Sequence, residues 1–154
     1  MTDVLELLKE LNISFEILEH EAVYTVEQAE RIVTDIAGTG CKNLFLTDGK
    51  AYYLYTLEES LRADLKMLRS ELGCGALHFA PEARLLDLLG LTPGSVTPLA
   101  VCNDEAHQVI VVLDGSLSGK KLLVHPNRNT ATVCLAYDDL RRYLAYCGNP
   151  VVVL

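Results

Sequence analysis

The run KNLFLTDGKAYYLYTL, residues 42–57, restricts the fold more than any other part of the chain. Two stretches rich in aliphatic and aromatic residues meet at Asp48-Gly49. Asp-Gly is a strong two-residue hairpin signal, because the turn requires positive φ that these residues tolerate. A lone hairpin is marginal in water and needs more strands, or a helix, against its apolar face.

The flanking sequence predicts both. Asp3 caps a first helix whose apolar face is Val4, Leu5, Leu8 and Leu11, and a strand follows around residues 14–18. YTVEQAERI, residues 24–32, reads as a helix opened by the T-x-x-Q spacing of Thr25 and Gln28. Beyond the hairpin, residues 62–73 predict a helix capped near Asp64 and ended at Gly73, and ALHFA a short strand. Pro81 opens PEARLLDLLG, closed by Gly90. LTPGSVTP is turn-rich, with Pro93-Gly94 suited to a type II turn. PLAVC, QVIVVLD, KLLVH and TATVCLA then read as strands. Asp138 caps a last helix ending at Gly148, before the strand PVVVL. Helices alternate with strands early and a meander comes late. The expected fold is therefore α+β: a mixed, largely antiparallel curved sheet with helices packed outside. At 154 residues it is expected to form one domain, 1–154, burying roughly two-thirds of its unfolded surface.

Composition excludes several classes. No apolar run approaches the roughly 20 residues of a membrane span, and the N-terminus lacks the basic region of a signal peptide. The five cysteines are widely spaced, without a C-x-x-C pair or a His/Cys cluster, and read as thiols in a reducing cytosol. Cys102 and Cys134 read as small core residues on strands. The net charge is −8, but nine acids against Lys9 and Arg31 put −7 of it in residues 1–40, leaving −1 for residues 41–154. A sequence-blind, charge-driven nucleic-acid binder is thereby disfavoured. There is no G-x-S-x-G elbow, P-loop, H-E-x-x-H or G-x-G-x-x-G, and nothing suggests a metal or organic cofactor.

Three polar interruptions of apolar runs remain: Lys42-Asn43 before LFL, the PGSVTP loop of residues 93–98, and HPNRNT, residues 125–130. Singly, a solvated strand-end lysine, turn punctuation and turn-forming asparagines account for them. A glycine loop that aims backbone N–H groups at a cavity is also an inexpensive site for an ester carbonyl.

Taken together, CKNLFL, GSVTPLAVCND and HPNRNTATV, in this order, resemble the bacterial prolyl-tRNA editing family, with its YbaK-like fold, also called the prolyl-tRNA synthetase-associated domain. FEILEHEAVYTVEQA and DDLRRYLAYCG extend the resemblance over almost the whole chain. It implies a cytoplasmic trans-editing hydrolase acting on the acceptor end of proline tRNA, the last motif being most similar to the free-standing branch that removes alanine. Alternatives left open are removal of cysteine or another small amino acid, and a catalytically silent tRNA- or small-ligand-binding module. On this resemblance Lys42 holds the terminal nucleotide or aminoacyl group, and Gly94 and its neighbours supply N–H groups to the ester carbonyl. Pro98, His125, Asn127, Asn129 and Thr130 wall the amino-acid pocket. Pro98, Leu99, Val133 or nearby aliphatic side chains limit its size, and Asn43, Arg84, Lys66 and Arg69 are candidates for contact with the RNA. Prolyl-tRNA synthetase is a candidate second partner.

Overall fold

The structure, a computed structural model, describes residues 3–22 and 37–154. Four helices and eight strands are seen among them: α1 Val4–Glu10, β1 Glu16–Glu19, β2 Thr39–Thr47, β3 Tyr52–Glu58, α2 Leu65–Leu72, β4 His78–Phe79, α3 Glu82–Leu89, β5 Val109–Leu113, β6 Lys121–Val124, β7 Ala131–Ala136, α4 Tyr137–Cys147 and β8 Val151–Val153. The expected capping box at Thr25 and Gln28 lies outside the described residues.

The hairpin forms as expected. β2 and β3 pair antiparallel from Cys41↔Glu58 to Thr47↔Tyr52, and Gly49 takes φ +90° at the turn. Asp48 Oδ1 accepts from the N–H groups of Lys50 and Ala51, each at 2.9 Å, while Oδ2 accepts from Gly75 N at 3.1 Å. These bonds hold the Asp48 carboxyl down at about 2.

The strands form one mixed sheet in the order β1-β7-β6-β2-β3-β5-β8, with β4 beside β2. Four pairings are antiparallel (β1·β7, β6·β7, β2·β3, β2·β4) and three parallel (β2·β6, β3·β5, β5·β8). The main core covers one face: Phe45, Leu54, Val111, Leu122, Val133 and Leu135 pack against residues of α1, α3 and α4. On the other face Leu46, Tyr53, Tyr55 and Leu57 meet Leu68 of α2. Alternation along each strand explains this split, since one register sends successive side chains to opposite faces.

Several local expectations are corrected. α1 buries Val4, Leu7 and Leu8, whereas Leu5 and Leu11 are only half-buried, because the core crosses the helix nearer Leu7. β1 runs 16–19 rather than 14–18. Pro81 precedes the first turn of α3 as its cap instead of forming part of it. Pro93-Gly94 begins a short 3₁₀ turn, Pro93–Ser95, not a type II turn. PLAVC is no strand: residues Pro98–Asn103 form a 3₁₀ helix, and Cys102 therefore sits on it. A short apolar run does not distinguish a buried helical turn from a strand. Here Thr97 accepts from Leu99 N at 3.3 Å, and Pro98 fixes a helical φ. The Tyr143 hydroxyl donates to the Leu99 carbonyl at 2.5 Å and ties this turn to α4. Ala136, not Asp138, stands at the cap of α4. Asp138 and Asp139 lie in its first turn, where their charge suits the helix dipole.

Candidate functional site

β2 is the strand on which the polar residues converge, because its second edge is divided. β6 runs parallel to it at Thr39 and Gly40, and β4 antiparallel at Leu46 and Thr47. Between them, and among the described residues, Cys41 to Phe45 have β3 alone as ladder partner. Gly40 O accepts from Glu59 N on the β3 side, and Phe45 O accepts from Ala80 N on the opposite side. Strand alternation therefore directs the main-chain N–H and C=O of Asn43 toward the open edge.

Two clefts meet there. The smaller, about 50 Å³, is lined by Gly40, Asn43, Glu59, Leu123, His125 and Thr132 among others. Gly40 pairs with Leu123, and Leu123 with Cys134, so alternation puts Lys42, half-buried, on the face shared by Gly40, Leu123 and Thr132. A Cβ on Gly40 would meet the Glu59 carboxylate, so a larger residue there requires Glu59 to move. The larger cleft, about 460 Å³, lies on the core face of β2 and is lined by Asn43, Phe45, Phe79, Glu82, Pro93 and Val96 among others. Pro93 and Val96 bracket Gly94. The lysine strand and the glycine loop thus approach from opposite faces and meet round the open edge at Asn43. The Asn43 amide oxygen accepts from the buried Thr56 hydroxyl at 2.6 Å, which fixes the side chain.

His125 Nδ1 lies 2.9 Å from the Ala131 carbonyl. A carbonyl only accepts, so Nδ1 carries the proton and Nε2 of the neutral ring keeps its lone pair. Burial pushes the His125 pKa below its ordinary 6.5, against the opposing pull of that hydrogen bond. His20 stands edge-on to it, ring centres 6.4 Å apart. By the same reasoning His20 donates through Nδ1 to the Glu21 carbonyl at 2.7 Å, and its Nε2 accepts from the Thr132 hydroxyl at 2.8 Å. Thr132, 5% exposed, thus donates its hydroxyl to a neutral imidazole. Cys41 is a poor nucleophile: burial pushes its thiol up to about 12. Among the described residues no group of three or more His, Cys, Asp or Glu is placed to hold a metal ion.

The other expected residues surround this centre. In the loop between β6 and β7, Asn127 adopts φ +64°. Its Nδ2 donates to Cys102 Sγ at 3.9 Å, so the loop rests on the 3₁₀ helix that Pro98 begins. Asn127 Oδ1 is buried with no hydrogen-bond partner. Arg128 binds both carboxylate oxygens of Glu19 at 2.7 Å and donates to the Thr130 hydroxyl at 2.9 Å. This occupies Thr130 within the loop, where Asn129 also lies. Pro98, Leu99 and Val133 are buried and stand behind the clefts rather than in their linings. Arg84, ion-paired with Asp87, is on α3 beside the wall of the larger cleft. Lys66 and Arg69 are exposed on α2, across the sheet from α3. Glu59, His20, Thr132 and Phe79 were not anticipated. His20 and Thr132 lie within the quoted stretches FEILEHEAVYTVEQA and HPNRNTATV, and Glu59 left an indirect signal: a glycine within a β-run marks a close approach, here Gly40.

The sequence model of the aminoacyl-tRNA editing domain family matches residues 20–143. The chain is 42% identical over 149 residues to the prolyl-tRNA editing protein ProX of Acetoanaerobium sticklandii, covering 95% of this chain and 91% of that protein. It is 34% identical to the prolyl-tRNA synthetase associated domain-containing protein 1 of Bos taurus, covering 96% and 90%. A crystal structure described as a candidate trans-editing enzyme for prolyl tRNA synthetase superposes with a TM-score of 0.71 at 21% identity, over 100% of this chain and 97% of that one. That last likeness bears on the fold.

Proposed function

The chain belongs to the aminoacyl-tRNA editing domain family, and on that premise we propose that it is a trans-acting deacylase that hydrolyses alanine from mischarged proline tRNA. The observation that carries the reading is the pair of unequal clefts joined at Asn43. One is about a ninth of the volume of the other.

The substrate is an activated ester, so the protein needs only to place water against a polarised carbonyl. The high pKa of the Cys41 thiol, the one cysteine on the open edge of β2, accords with this. Lys42 supplies a cation at the open edge for the terminal nucleotide or the aminoacyl group. Gly94 and the backbone of its loop donate to the carbonyl oxygen as charge develops on it, and donors of this kind are worth roughly 10²–10³ in rate each. The neutral His125 offers Nε2 as an acceptor for the water or for a donor on the amino acid. Asn127, Asn129 and Thr130 hold the loop that positions it. Asn43 spans the clefts, and Arg84, with Lys66 and Arg69 more remotely, provides positive charge for the acceptor end.

Selectivity follows from size. A proline-activating enzyme discriminates poorly against the smaller alanine, since each methylene contributes only about 1–3 kcal/mol. The 50 Å³ cleft applies the opposite test, accepting the small side chain and excluding the five-membered ring. Single-turnover hydrolysis of proline tRNA charged with alanine, cysteine or proline tests this directly. Rapid loss of alanine alone, slowed at least 10²-fold in Lys42→Ala, is the expected result. Rapid loss of cysteine instead would reassign the amino acid, and hydrolysis of none would refute the deacylase.

A further inference from the structure

Thr132 and His20 form a hydroxyl–imidazole pair at the wall of the small cleft. Strand alternation brings them together: Leu18 pairs with Thr132 across β1 and β7, and His20, two residues on, projects from the same face. His20 N donates to the Thr130 carbonyl at 2.9 Å, which carries the pairing past the end of β1. The ring is then fixed at both nitrogens, Nδ1–H on the Glu21 carbonyl at 2.7 Å and Nε2 on the Thr132 hydroxyl at 2.8 Å. A hydroxyl held on a base that a third group orients is the arrangement that activates oxygen in many hydrolases.

We propose that this pair is the proton relay of the hydrolysis: Thr132 Oγ1 takes a proton from the attacking water while passing its own to His20 Nε2. The inference rests on the deacylase reading and names the base for that reaction. The step balances. One O–H bond of water breaks as its oxygen bonds to the ester carbonyl carbon, leaving Thr132 a hydroxyl again and His20 an imidazolium. Collapse of the tetrahedral intermediate then breaks the bond to the ribose oxygen, which leaves with the proton returned along the same path. The surroundings suit the imidazolium formed in between. Its Nδ1–H keeps the Glu21 carbonyl. The Glu19 carboxyl, held below its ordinary 4.5 by the Arg128 hydrogen bond and, more weakly, by His20 itself, is a negative neighbour. Burial disfavours the charged ring of His125, the other imidazole on this cleft, and pushes its pKa below 6.5, so His125 receives this proton poorly. Among the described residues, the titratable and charged groups facing the pair are Glu19 and Glu21 from its own segment, His125 and Arg128 from the β6–β7 loop, and Cys41, Lys42 and Glu59 across the cleft.

The test reads the saturated single-turnover rate on alanyl-charged proline tRNA against pH in Thr132→Val, Thr132→Ser and His20→Gln, beside thermal melts. A general base contributes roughly 10²–10⁴-fold. Thr132→Val and His20→Gln should each lose that much of the saturated rate, with the half-saturating concentration little changed. Thr132→Ser keeps the hydroxyl and should recover most of it. In the unmodified protein the rate should fall toward acid as the base is protonated, and that fall should vanish in His20→Gln. Should Thr132→Val fail to melt cooperatively, His20→Gln, at a half-buried position, decides the matter. A folded variant of either residue with the unmodified rate, or an acid limb unchanged in His20→Gln, would overturn the relay and leave the deacylase intact. An aminoacyl group trapped on Thr132 and found by mass spectrometry would also overturn it, making Thr132 the nucleophile. Hydrolysis of no aminoacyl ester by the unmodified protein would refute both.

Discussion

Leu123→Ala is the perturbation that most directly probes the size limit. Leu123 is 8% exposed, lines the small cleft, and packs in a satellite cluster with Cys134 and Leu18 rather than in the main core. Truncation removes three carbons, each about the size of a water's ~30 Å³ share of liquid. The cleft thereby grows from about 50 Å³ to nearly three times that. Proline exceeds alanine by two carbons, so the enlarged cleft admits most of its ring. With each methylene accommodated worth about 10- to 200-fold, the ratio of prolyl to alanyl hydrolysis should rise at least tenfold. Leu→Ala changes in cores cost about 2–5 kcal/mol, and a peripheral cluster belongs at the lower end. At about 2 kcal/mol the midpoint should fall by roughly 4–8 °C, leaving the protein folded at 25 °C. Single-turnover assays with both esters, beside a thermal melt, separate the effects. A folded variant whose prolyl-to-alanyl ratio is unchanged would refute the assignment of this cleft to the amino-acid side chain.

Two further outcomes concern stability. Tyr143→Phe deletes the buried donor to the Leu99 carbonyl, and leaving that acceptor unsatisfied should cost about 1–3 kcal/mol; an unchanged urea midpoint would show that the bond contributes nothing. Acid should destabilise the fold in two stages. Because burial depresses the His125 pKa, the unfolded chain takes up that proton first, so stability is retained above pH 6.5 and declines below it. Asp48 acts with the same sign lower down, its contribution present above its ordinary 3.8 and lost toward about 2. Urea unfolding between pH 7.5 and 5 should lose its pH slope in His125→Gln if this histidine is responsible, and keep it if it is not.

What the sequence discloses here depends on range. The turn at Asp48-Gly49, the helix ended by Gly73 and the short strand at His78–Phe79 are each set by neighbouring residues, and all were legible. PLAVC was misread because periodicity in five apolar residues cannot separate a strand from a buried 3₁₀ turn. The decision falls to Tyr143, 44 residues away. The candidate site was proposed from three polar interruptions and their family resemblance, but its geometry was not legible. The bond between His20 and Thr132 spans 112 residues, and local sequence carries no trace of it. Nor does local sequence show that Asn43 lines two clefts.

The divided edge of β2 supplies the physical reason for the site's location. β6 meets this strand in parallel and β4 antiparallel, so the two cannot merge into one continuous neighbour. The residues left between them, Cys41 to Phe45, span roughly 16 Å at the rise of a strand. An unpaired edge of that length is ordinarily a liability, since it invites pairing with another chain, and a lysine on it is a common deterrent. Lys42 occupies that position, and the strand's polar groups face a cleft on each side. The cation guards this edge against pairing with another chain. On the deacylase reading proposed above, the feature that would weaken the sheet in a purely structural protein is the one that lets the two clefts act on a single ester.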